Sequence, residues 1–266
     1  MKILIWVCMV GVMLFANEGK MLFEKHCLSC HTPFIPMSKL KENFLDHNNT
    51  LLNLKAPTLN QLSYRLKQQV GDRHGDEDLH RMEVTAFMSD YVIHPDKDKS
   101  VCLDDVMQHF ETMPSLKGKV SEDELEAIGT YLYDFDTEVV KAKSVKYEGF
   151  EKALERAKKE HKIIMIEAMT KECHFCRKME REVMIEKEIV KAIEKDFIPV
   201  SIDISIHALP LGLTTTITPS FIFIDENASI IENVPGAWSK KDFALLLQEI
   251  KAYTQKKSEK EKRDEK

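Results

Sequence analysis

The chain has 266 residues, 43% hydrophobic and 31% charged, with a formal net charge of -6. That length suits one large domain or two ordinary ones, and the hydrophobic content excludes a wholly disordered chain. Lys+Arg (38) falls below Asp+Glu (44) with no basic, aromatic-interleaved cluster, the nine Gly and nine Pro exclude collagen-like and low-complexity classes, and six Cys are too few for a disulfide scaffold.

Met1-Lys2 is followed by an apolar run from Ile3 to Ala16 and then by polar Asn17-Glu18-Gly19-Lys20. A positive start, a short apolar run and a small residue at its end describe an export signal over residues 1–16. The run is short for the ~20 residues of a membrane helix, and no later stretch is long enough to span a bilayer. Cys8 lies inside it, and Ile5-Trp6-Val7 lacks the small residue wanted before a lipidated cysteine. The mature protein is therefore expected to be exported, soluble and periplasmic. Five cysteines remain: the pairs Cys27/Cys30 and Cys173/Cys176, and the singlet Cys102. Two-residue spacings close almost no loop and are poor structural cross-links, so such pairs usually carry metal, haem or redox work. The long separation of the pairs, and their different contexts, argue against one shared zinc site.

The first half reads as helices and loops. Gly19, Phe23 and Cys27 recur on one face of a helix that runs into Cys27-Leu28-Ser29-Cys30-His31. In C-x-x-C-H, two thiols can add to the vinyl groups of one haem while the imidazole of the next residue reaches the iron. Pro33 and Pro36 end the helix. Residues 38 to 110 are polar and weakly periodic, with a helix expected over Asn60 to Val70. Met113-Pro114 follows. Proline holds the preceding residue extended, so the Met113 thioether can point into a pocket. Ser121-Glu122-Asp123-Glu124 is a capping box, backed by the apolar stripe Leu125, Ile128, Leu132 and Phe135.

Residues 18 to 135 resemble a class I cytochrome c. The resemblance rests on Gly19/Phe23/Cys27, on CLSCH at 27 to 31, on TMPSL around Met113, and on the terminal helix SEDELEAIGTYLYDF. It implies an all-α domain over residues 17–136 that binds one covalent haem c through Cys27 and Cys30, with His31 and Met113 as axial iron ligands. Met113 lies 82 positions after His31, farther than in a minimal member of that family. The interval contains His47, His74, His80, His94 and His109, which leaves a bis-histidine iron open. Cys102 reads as a half-buried thiol, or as a transient disulfide partner of Cys173 or of another protein.

Residues 137–147 are polar and serve as the expected linker, and residues 254–266, with ten charges in thirteen positions, as a charged disordered tail. Between them lie a helix over Tyr147 to His161, a buried strand Lys162 to Ala168, a long charged helix Cys173 to Lys195, a strand Phe197 to Asp203, a hairpin of Phe221–Asp225 and Ser229–Val234, and a closing helix Ser239 to Tyr253. That order implies a mixed α/β sandwich. Cys173-His174-Phe175-Cys176 follows a strand and opens a helix, whose N-terminus favours the Cys173 thiolate and leaves Cys176 one turn in, to resolve a mixed disulfide. Thr218-Pro219 precedes a strand, where proline suggests a cis peptide.

Strand, C-x-x-C, helix, strand, proline and hairpin together resemble a thioredoxin-like domain over residues 148–253. The resemblance implies thiol–disulfide exchange at Cys173 and Cys176, with Pro219 facing them and Glu167 as the buried acid that takes protons from Cys176. The usual tryptophan before the first cysteine is replaced by Glu172. Glu172 opposes the thiolate and a protonated His174 favours it, so reductase and oxidase directions stay open.

Two domains are expected, an all-α cytochrome c-like one followed by an α/β thioredoxin-like one. Together they imply an exported haem c electron-transfer protein with a C-x-x-C oxidoreductase domain, whose partners are periplasmic redox proteins or thiol and disulfide substrates, with no nucleic acid and no stable membrane span. Dithiol couples span roughly -120 to -270 mV, and Met/His ligation raises a haem potential. Any flow between the centres would run from dithiol to haem. The alternatives are a plain electron carrier with a docking module, or an accessory factor in cytochrome maturation or sulfur-compound metabolism.

Overall fold

The computed structural model describes residues 18–264, with side chains through residue 256. The expected export signal, with Cys8, lies outside the described residues. The chain divides into two units between Val139 and Val140.

The first unit is helical. Helix α1 covers 18–26. It is followed by α2 (Met37–Lys41), which runs into a single π-helical turn (Glu42–Asp46), then by α3 (Leu59–Gln69), α4 (Glu77–Ile93), the short α5 (Asp104–Met107) and α6 (Glu122–Lys143). Phe23 of α1, Leu59 and Leu66 of α3, Val84 and Met88 of α4, and Ile128 and Leu132 of α6 form one buried cluster. The cap of α6 forms as the sequence predicts: Glu124 N–H donates to Ser121 Oγ (3.2 Å) and Ser121 N–H to Glu124 Oε2 (2.9 Å).

Helix α1 crosses α6 at Gly19, where a Cβ would stand 2.2 Å from the carbonyl oxygen of Ala127 and 2.8 Å from Tyr131 Cβ. Backbone cannot yield as a flexible side chain does, so glycine is required by proximity rather than by its dihedral angles. Gly19→Ala should therefore destabilise the unit by about 2 kcal/mol through overpacking. Hydrogen exchange of the α1 and α6 amides in the full chain measures it, and unchanged protection would contradict the close approach.

The segment between residues 38 and 110 is more helical than its weak periodicity predicts. Helix α4 starts cleanly, with Asp76 Oδ1 accepting from the amides of Asp78 and Leu79 (both 3.0 Å). Its apolar pattern is blurred because Leu79 and Met82 face solvent while the polar His80 is buried. The buried imidazole is satisfied on both nitrogens, by Tyr133 Oη (3.0 Å) and Val70 O (2.9 Å).

The second unit begins within α6, which continues through Lys143 into the segment expected to be a linker. DTEVVKAK contains neither Gly nor Pro to stop it, and Val140 and Val145 are buried. There follow α7 (Phe150–Glu160), β1 (Ile163–Met169), α8 (His174–Glu182), α9 (Lys187–Asp196), β2 (Phe197–Asp203), β3 (Ser220–Ile224), β4 (Ile230–Pro235) and α10 (Lys240–Asp264). The sheet order is β2-β1-β3-β4. β1 pairs parallel with β2 and antiparallel with β3, and β3 with β4 antiparallel.

Strand β1 is covered on both faces, hence its unbroken apolar run. Ile164, Ile166 and Ala168 face a cluster with Ala153 and Ala157 of α7. Ile163 and Met165 face another with Met179 of α8, Ile189 and Ile193 of α9, and Phe243 and Leu247 of α10.

Two expected elements differ. The single helix over Cys173 to Lys195 is two, because Val183 and Met184 turn into the core between α8 and α9. The expected disordered tail is the continuation of α10 to Asp264, since Lys, Glu and Gln are strong helix formers and no breaker intervenes.

Candidate functional site

In the first unit, α1 delivers Cys27 to a turn in which the amides of Cys30 and His31 both donate to Cys27 O (3.1 and 2.9 Å). Both sulfurs and the imidazole thus come from one compact turn. The chain beyond is pinned to the start of α3, where Leu59 N–H donates to Thr32 O (2.9 Å) and Asn60 N–H to Pro33 O (3.2 Å). His31 Nδ1 lies 2.8 Å from Pro57 O. A carbonyl only accepts, so that nitrogen carries the proton and Nε2 keeps its lone pair. Burial lowers the His31 pKa and so favours the neutral imidazole, and the Pro57 bond partly offsets this. Burial, and secondarily Cys30, pushes the Cys27 thiol up to about 11.

Met113 is held from the far end of α4. Leu116 N–H donates to Val92 O (2.9 Å) and Ser115 Oγ–H to Ile93 O (2.6 Å). The two segments meet around one cavity of about 370 Å³, lined by Cys27, Cys30, His31 and Met113 together with apolar side chains such as Phe23, Leu66 and Phe110. None of His47, His74, His80, His94 or His109 lines it; His26 does, beside His31. His80 has both ring nitrogens engaged, and His109 stacks on Phe44.

The cavity also recruits residues that the sequence did not single out as neighbours. Cys102 is on its wall, buried and outside any disulfide, with its thiol pushed by burial up to about 11. Met88 and Met107 line it as well. Their contribution is invisible in sequence because methionine is a common core filler. Among the described residues, no group of three or more His, Cys, Asp or Glu is placed to hold a metal ion.

In the second unit, Cys173 and Cys176 form a disulfide with Cα atoms 5.2 Å apart. Cys173 is the N-cap of α8, its sulfur accepting from Cys176 N–H at 3.0 Å. Cys176 is buried and Cys173 is partly exposed. Of a reduced pair, Cys173 is thus the thiol a substrate can reach, placed where the helix N-terminus favours its thiolate. Arg177 pairs with Glu172 (3.8 Å), which engages the carboxylate that the sequence sets against the thiolate. The Thr218–Pro219 peptide is cis.

Glu167 is buried in β1, opposite Ser201 of β2 and Phe221 of β3. Tyr147 Oη–H donates to its Oε2 at 2.5 Å. Burial raises the Glu167 pKa to about 7, the Tyr147 bond lowers it, and the charge of Glu180 raises it. Tyr147 stands at the end of the polar stretch 137–147, 20 positions from Glu167, and no spacing in the sequence links the two.

Residues 150–251 match the model of a thioredoxin-like domain. The second unit carries a thioredoxin-like domain. An uncharacterized protein of Aquifex aeolicus (strain VF5) is 27% identical over 118 residues, 44% of this chain and 72% of its own. Among solved structures, the thioredoxin-like domain resembles a thioredoxin from Thermus thermophilus (18% identity, 40% of this chain and 87% of that one, TM-score 0.35). It also resembles a DsbH oxidoreductase (17%, 40% and 84%, TM-score 0.32). A third is the C-terminal domain of DsbD from Neisseria meningitidis in its oxidised form (18%, 40% and 98%, TM-score 0.32).

Proposed function

We propose that the chain joins a haem c electron-transfer module to a thiol–disulfide oxidoreductase, and that it works with redox partners in the periplasm. One contrast supports this reading. Cys173 and Cys176 are bonded to each other at a helix N-terminus, whereas Cys27 and Cys30 are unbridged and line a cavity with His31 and Met113. The apolar run Ile3–Ala16 behind Lys2, read as an export signal, supports the compartment, and no helix among the described residues is long and apolar enough to cross a membrane.

The first unit fits haem c on the chemistry of its donors. Cys27 and Cys30 would carry the thioether links, His31 would ligate through Nε2, and Met113 would supply a thioether sulfur as a further ligand. Bound there, the group supplies a one-electron iron couple. The protein's share is to keep the imidazole neutral by burial and oriented by the Pro57 carbonyl, and to exclude water with apolar walls.

In the second unit, Cys173 thiolate attacks a substrate disulfide and one substrate thiol leaves. Glu167 takes the proton of Cys176, whose thiolate then attacks the Cys173 sulfur. The bond between Cys173 and the substrate breaks, the Cys173–Cys176 bond forms, and the electron pair leaves on the substrate sulfur as a thiolate. Two electrons pass to the substrate, and the reverse sequence oxidises a dithiol.

Production of the chain alongside a haem-attachment system tests the first half. The mass of the tryptic peptide bearing Cys27 and Cys30 should rise by one haem, and Cys27→Ala/Cys30→Ala should lose all covalent haem. A wild-type peptide of unmodified mass would refute it. Glutathione disulfide offered to the dithiol form tests the second half, and no consumption above the uncatalysed rate would refute that.

A further inference from the structure

Resting on the thiol–disulfide reading above, we infer that Tyr147 is a positioning residue for the exchange: its hydroxyl fixes the buried carboxylate of Glu167 as the proton acceptor of Cys176. Among the described residues, Tyr147 is the one hydrogen-bond donor to that carboxylate, at 2.5 Å on Oε2. The tyrosine is itself anchored. Its chain neighbour Glu148 donates its amide to Pro199 O of β2 (3.1 Å), and the ring packs against the cluster that includes Met179 and Phe243.

The surroundings leave this work to Tyr147. Glu167 shares a strand face with Met165, and that face is covered by Met179 and Val183 from the α8 end, Ile189 and Ile193 of α9, and Phe243 and Leu247 of α10. None of these can donate a hydrogen bond. The ionisable groups acting on the carboxylate are Tyr147 and Glu180 of α8. Glu180 disfavours the charged form and Tyr147 favours it. One donor on Oε2 also stops the carboxylate from rotating freely and leaves Oε1 to receive a proton.

Tyr147 does not compete as an acid. Burial, followed by Glu167, holds its hydroxyl well above the usual tyrosine range. It remains a donor throughout the exchange, and the proton that moves is that of Cys176: thiol and carboxylate become thiolate and carboxylic acid. The thiolate then closes the Cys173–Cys176 bond and releases the substrate thiolate.

Tyr147→Phe keeps the ring and its packing and removes only the donor. Two measurements on the full chain separate the cases. The Glu167 carboxyl is titrated by carbon-13 NMR in the disulfide form, which needs no exchange activity. The resolving step is followed as a function of pH in single turnover with glutathione disulfide. Both midpoints should rise together by about one pH unit, the scale of one lost charge-assisted hydrogen bond. Combining Tyr147→Phe with Glu167→Gln should give no further change in the resolving profile. Unmoved midpoints would overturn the inference, and so would a shifted carboxyl with an unmoved resolving profile. Absence of exchange in the wild type would instead refute the thiol–disulfide reading, and with it this role for Tyr147.

Discussion

Glu167→Gln should stabilise the thioredoxin-like domain at pH 8 by about 3 kcal/mol and remove a pH dependence present in the wild type. The carboxyl has a pKa of about 7 in the folded protein against 4.5 without the fold. Between those values the folded state holds a proton that the unfolded state releases, so stability falls as pH rises through that window. Above about pH 7 the carboxylate is charged in both states and the full cost is present; below 4.5 both are neutral and it vanishes. A difference of about 2.5 pKa units converts to about 3 kcal/mol. Gln keeps an acceptor for the Tyr147 hydroxyl, so the substitution does not leave that donor stranded. Urea unfolding at pH 4.5 and pH 8, read by the fluorescence of Trp238, measures it. A variant with the wild-type difference between the two pH values would show that this carboxyl is not the group responsible.

A buried carboxyl held at such a cost marks a candidate functional group, which links stability to the proposed exchange. In the proposed chemistry a base near neutrality is matched to deprotonating a buried thiol. Glu167→Gln should therefore slow the resolving step by about a hundredfold, at the lower end of general-base contributions, while making the domain harder to unfold.

The two cysteines should fail in different ways. Cys173→Ser removes the partly exposed sulfur at the cap of α8 and should reduce exchange to the uncatalysed rate. Cys176→Ser removes a sulfur that substrate cannot reach, since that residue is buried. The first attack should then proceed within a few-fold of the wild-type rate, and the protein should accumulate as a mixed disulfide on Cys173. Mass spectrometry after reaction with glutathione disulfide distinguishes the two. Equal labelling of both variants would contradict the assigned order of attack.

The parts of this chain legible in its sequence are those built from neighbours. Cys27, Cys30 and His31 lie within five consecutive residues, so their convergence follows from a single turn. The Ser121–Glu124 box announces the start of α6, and β2 runs over the residues its apolar pattern marks. Where apolar and polar residues trade places, as in α4 with exposed Leu79 and buried His80, local pattern reports neither the helix nor its face. The break between α8 and α9 was hidden for a related reason. Charged residues continue on both sides of it, and only burial of Val183 and Met184 shows that the chain has turned.

By itself the sequence determined that two C-x-x-C pairs exist, in unlike contexts, in two regions of different structural class. Tertiary structure decided how the expected neighbours of each pair are brought to it and which further residues join them. Met113, 82 positions after His31, reaches the same cavity because the end of α4 anchors its loop, and Cys102 joins it there. Tyr147 reaches Glu167 because the chain entering α7 is tied to β2. Both are encounters across long stretches of chain, produced by packing, and no local periodicity or spacing encodes them.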